Sequence, residues 1–160
     1  MRKLCALLGL VALPVVASAT PGLAASKGPT TKNLVVVMKA SQEVPTCAPA
    51  TNAARGNAVF HITDAAAGTV KYKVVANNLP GDITVAHIHL APAGTAGQVV
   101  QPLELTAGAE NGVIGRGTFT NPSLVTALQT NPSGYYVNVH SSVCPTGVIR
   151  GQFSDRRHSS

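Results

Sequence analysis

A chain of 160 residues, 45% of them apolar, has room for one domain with a real core and little for a second. Charged residues make up only 11%, tryptophan is absent, and Gly and Pro number 15 and 11, which argues against long helices and for short strands joined by turns. The formal net charge of +6 is scattered along the sequence apart from Arg156-Arg157, which excludes a nucleic-acid footprint and leaves only weak attraction to an anionic cell surface.

The first nineteen residues read as a signal peptide. Arg2 and Lys3 form a positive start, residues 4–16 an apolar run, and Ala17-Ser18-Ala19 a small-residue cleavage site, with a second cut available as late as residue 25. A retained anchor is the alternative, but the run is short for a membrane span, so no stable span is expected once the signal is removed. Loss of Arg2 and Lys3 lowers the formal charge from +6 to +4. Cys5 also leaves. The remaining Cys47 and Cys144 read, in an exported protein, as one disulfide, the alternative being two free thiols. Such a bridge would stabilise the chain by about 4–5 kcal/mol in the chain-entropy model.

Residues 20–32 read as a flexible leader. A short strand is expected over 34–38, a loop over 41–55, and a second strand over 58–63 with Phe60 and Ile62 on one face and His61 on the other. After a turn at 64–68, Val70, Tyr72, Val74 and Ala76 alternate with Thr69, Lys71 and Lys73, the period of a half-buried antiparallel strand. Residues 83–90 form the next strand and 91–97 a Gly/Pro loop. The apolar stretch 99–105 contains Pro102, which places it at an edge or bulge. Another strand spans 112–120. Asn121-Pro122-Ser123 then signals a helix start, with one short helix over 122–129. Strands over 135–140 and 148–153 follow, and a disordered tail from 154 to 160. Eight or nine short strands without a βαβ rhythm predict an all-β antiparallel sandwich or Greek-key barrel of immunoglobulin or superoxide dismutase type.

Three segments carry a family resemblance. Gln42-Glu43-Val44-Pro45, Ala86-His87-Ile88-His89, and Tyr136-Val137-Asn138-Val139-His140 leading to Gly147-Val148-Ile149-Arg150-Gly151-Gln152 stand in the order and spacing of a CHRD (chordin-type) domain. The chain resembles a secreted microbial member with a single such domain over residues 33–153. The resemblance implies a binding or structural module at or outside the cell surface, without catalysis, and an extracellular or cell-surface partner. A fainter similarity to the Cu/Zn superoxide dismutase sandwich lies in His87-Ile88-His89, Val139-His140 and the run from Cys144 to Ile149. No histidine-rich loop follows His89, so the second metal set of that enzyme is missing.

His87 and His89, two apart on a strand, project from one face, with Ala86, Ile88 and Leu90 on the opposite, core-directed face. Tyr136, Asn138 and His140 share a parity against Tyr135, Val137 and Val139. If the two strands pair, three imidazoles converge, a donor set suited to Cu or Zn. Glu43 is placed as an oxygen ligand or as an acceptor orienting a ring. Tyr136, Asn138 and Arg150 complete the motif face, with Arg150 expected to pair with Glu43. The same histidines also read as polar-face residues bonded to neighbours, or as a pH-sensitive contact surface. No nucleophile motif, phosphate-binding loop or carboxylate pair is present, which argues against a hydrolase. Two functions therefore compete: a non-catalytic binding module, and a copper or zinc domain with weak redox activity. No cofactor other than such a metal is expected.

Overall fold

The computed structural model describes residues 32–154. The expected signal peptide, nearly all of the leader, and residues 155–160 lie outside the described residues.

Eight strands follow one another as β1 (Lys32–Lys39), β2 (Arg55–Asp64), β3 (Thr69–Asn77), β4 (Ile83–Leu90), β5 (Gln98–Leu103), β6 (Gly112–Thr120), β7 (Tyr135–Ser141) and β8 (Ile149–Gln152). One helix, α1 (Pro122–Thr130), separates β6 from β7. The strands form an antiparallel sheet in the order β5-β4-β7-β8-β1-β2-β3-β6. The two edges of that order approach each other. Past β5, the Thr106 N–H donates to Ile114 O of β6 at 2.7 Å, and the Glu104 N–H donates to Tyr72 Oη at 2.7 Å. The sheet is therefore nearly closed into a barrel, flattened toward a sandwich of two four-stranded halves.

Alternation explains which face turns inward. Val70, Tyr72, Val74 and Ala76 are buried on β3 while Lys71 and Lys73 are exposed, as the period of two requires. Leu34, Val36 and Met38 of β1, Phe60 and Ile62 of β2, Ile88 of β4, and Val137 and Val139 of β7 join the same core. Phe60 lies at its centre, 5.2 Å from Phe153 and 6.2 Å from Tyr72 between ring centroids.

Local signals set the connections. In the β2–β3 turn Gly68 has φ 72°, and a Cβ there would collide with the backbone of Pro122. Asn121 caps α1 by accepting the Leu124 N–H at 3.0 Å, and Pro122 occupies the first turn. Leu124, Val125 and Leu128 bury one side of the helix. β5 is an edge strand, as Pro102 demands. Cys47 and Cys144 are joined in a disulfide with Cα atoms 5.8 Å apart. Among the described residues no helix is long and apolar enough to cross a membrane.

One assignment is corrected. Leu90 does not join the core but is 40% exposed, because it ends β4 where the chain leaves the sheet for the 91–97 loop.

Candidate functional site

The site is built on the faces of β4, β7 and β8 that turn away from the core. β7 lies between the other two strands. Its register places His87 across from Asn138, and Asn138 across from Arg150. The next row runs His89, Tyr136, Gln152. His140 lies across from Val85.

This outer face is not solvated, as alternation alone suggests. His89, Asn138, His140, Arg150 and Glu43 are all buried, and His87 is partly exposed. Over Arg150, Gln152, Tyr136 and His89 the reason is a lid of backbone, while Pro145 and Gly147 lie against His140, Asn138 and Glu43. Arg150 donates to Thr95 O at 2.8 Å and to Pro92 O at 2.9 Å. Gln152 donates to Ala91 O at 2.8 Å. The Gly97 N–H donates to Tyr136 Oη at 3.1 Å. These contacts draw the 91–97 loop across this part of the face and give four of its backbone polar groups partners there.

Tyr136 links the rows. The Arg150 guanidinium lies 3.5 Å over its ring, and the His89 ring stacks on it at 4.8 Å and 13°. β4 and β8 flank β7 on opposite sides, so the phenol ring sits between cation and imidazole.

The three histidines converge. One ring nitrogen from each of His87, His89 and His140 lies within 4.8 Å of the others, and the rings stand 5.2 to 6.1 Å apart between centroids. His89 Nδ1 lies 2.9 Å from Gly97 O, and His140 Nδ1 lies 3.0 Å from Pro145 O. A carbonyl accepts only, so in both rings Nδ1 carries a proton, and in the neutral tautomer this selects, the lone pair is on Nε2. Both Nε2 atoms, and His87 Nδ1, are buried without a hydrogen-bond partner. Burial lowers the pKa of His87, and the neighbouring His140 and His89 lower it further. Burial also lowers that of His89, opposed by the Gly97 carbonyl and assisted by His140 and Arg150. At neutral pH these two rings are held neutral, the form that can donate to a metal.

Glu43 lies apart from this cluster. Its Oε2 accepts from Asn138 Nδ2 at 3.4 Å, and the histidine group does not include it. Burial raises its pKa to about 7, although Arg150, Asn138 and the Val44 backbone all pull it down. The expected Glu43–Arg150 ion pair does not form. The guanidinium is drawn to the loop carbonyls and Tyr136 instead, and acts on Glu43 only through its charge.

Gln152 was not singled out from the sequence, yet it anchors the lid together with Arg150. Its position two residues after Arg150 on a strand was the available signal. The disulfide also enters the site, since Cys144 precedes the Pro145 whose carbonyl orients His140.

Residues 34–153 match the family model of the CHRD domain. Comparison with curated proteins and with solved structures finds no match.

Proposed function

The chain belongs to the CHRD domain family, and from that premise we propose that it is a non-catalytic module acting outside the cell, with a copper or zinc site formed by His87, His89 and His140. The extracellular setting is supported by the N-terminal sequence, and the disulfide fits an oxidising compartment.

The observation that carries the metal reading is the convergence of three imidazoles, one ring nitrogen of each within 4.8 Å of the others, in a cluster where each ring also has a buried nitrogen without a hydrogen-bond partner. A buried polar atom without a partner is costly unless something occupies its lone pair. Metal–nitrogen bonds of about 2.0–2.1 Å require each nitrogen to move inward by less than about 1 Å. Two of the rings are already oriented by backbone carbonyls, the arrangement that fixes tautomer and raises donor strength. The Nδ1 of His87 is likewise buried without a hydrogen-bond partner. Three imidazoles suit Cu(II) or Zn(II) and leave a further coordination position to solvent. The second metal set of a dismutase has no counterpart among the described residues.

Calorimetry on the purified protein tests this reading. One Cu(II) or Zn(II) per chain is expected, with binding abolished in the double variant His89→Ala/His140→Ala and retained in His61→Ala. Heat no greater than that of the double variant would leave the family module without a metal.

A further inference from the structure

The sheet half made of β1, β2, β3 and β6 turns a second face outward, remote in strand order from β4 and β7. Cations that are scattered in sequence are gathered there. Lys39 lies across from Arg55, and Lys73 across from Arg116, while Lys71 is two residues from Lys73 on β3. All five are exposed. Both cross-strand pairs are like-charged and directly opposed, an arrangement that destabilises a sheet.

Among the described residues nothing neutralises them. None of the five takes part in an ion pair. Of the described carboxylates, Glu43 is buried at the other site, Asp82 lies in the β3–β4 turn, and Glu104 and Glu110 precede β6. Asp64, at the end of β2, accepts the Ala67 N–H within its own turn.

Between the Lys39/Arg55 row and the Lys73/Arg116 row runs one in which Val37, Val75 and Val113 are joined through Asn57, while Val35 and Val59 share the Lys73/Arg116 row. Val35 is 44% exposed and Val37 39%. The whole patch covers roughly 15 by 20 Å, from strand spacing and rise.

We propose that this face docks the protein on an anionic bilayer surface. The charges spread over four strands and three rows, which matches a plane of headgroups better than a single extended polyanion. The exposed valines have a use at a headgroup boundary, where apolar contact adds to electrostatic attraction. Like-charge repulsion within the sheet is relieved when lipid phosphates lie against it.

Sedimentation with vesicles, in chelator so that metal plays no part, tests the proposal. The full mature protein should pellet with mixed phosphatidylcholine–phosphatidylglycerol vesicles and not with phosphatidylcholine alone. Each cation near an anionic bilayer contributes about fivefold to partitioning, so Lys71→Gln/Lys73→Gln/Arg116→Gln should bind about a hundredfold more weakly. The control Lys27→Gln/Arg156→Gln/Arg157→Gln loses the same formal charge outside these four strands of the sequence and should bind like the parent. The first variant should melt no lower than the parent, because it removes repulsion. The proposal fails if anionic vesicles do not pellet the protein, or if both variants lose binding equally. Capture by dextran sulfate but not by vesicles would overturn it in favour of a soluble polyanion.

Discussion

Glu43 is 4% exposed, and its Oε1 and the nearby Asn138 Oδ1 are both buried without a donor. A proton on the carboxyl supplies a donor that the ionised form lacks. That agrees with a pKa raised from 4.5 to about 7. The unfolded chain releases this proton at lower pH than the folded one. The stabilisation is therefore fully present below pH 4.5 and is lost as pH rises through about 7. Between pH 5 and pH 8 the parent should lose about 2–3 kcal/mol more stability than Glu43→Gln, read from urea unfolding at each pH. Equal pH dependence in the two proteins would assign the buried carboxyl an ordinary pKa.

Among the elements, α1 shows most directly how local sequence sets structure. Asn121 supplies an acceptor to the Leu124 N–H, and Pro122 needs no partner for the donor it lacks. Asn121→Ala should cost about 1 kcal/mol in thermal or urea unfolding, while Asn121→Asp should cost much less because the acceptor remains. Asn121 Nδ2 also donates to Gln101 Oε1 at 3.2 Å, tying the cap to edge strand β5. Amide exchange near β5 should therefore quicken in the Ala variant as well as at the helix start.

At the scale of the whole molecule, the Cys47–Cys144 bridge closes a separation of 97 residues and fastens the chain after Glu43 to the loop carrying Pro145. Cys47→Ser/Cys144→Ser should lower stability by about 4–5 kcal/mol if native strain is small. It should also weaken metal binding beyond that of His61→Ala, because the Pro145 carbonyl that holds His140 loses its anchor. The intact protein should be lighter than the reduced one by two hydrogens in non-reducing mass spectrometry.

Much of the fold was legible in the sequence because period and turn chemistry are local. The strand bounds 83–90 and 112–120, the edge position required by Pro102, and the inward set Val70, Tyr72, Val74 and Ala76 all follow from neighbours a few residues apart. The shared face of His87 and His89 was equally readable. Alternation names two faces, however, and does not say whether the second meets water. Here the 91–97 loop, held by Arg150, Gln152 and Tyr136, covers part of it. Those bonds span 39 to 61 residues, and no local pattern encodes them. The same holds for the cationic face, where Lys39 and Arg55, or Lys73 and Arg116, meet only through strand register. The sequence by itself determined a disulfide-linked antiparallel β domain of the CHRD family with two histidines on one strand face. Only the tertiary structure decided that His140 joins them, that His89 and His140 are buried while His87 stays partly exposed, and that the dispersed cations form one surface, because pairing register and loop closure depend on contacts distant in the chain.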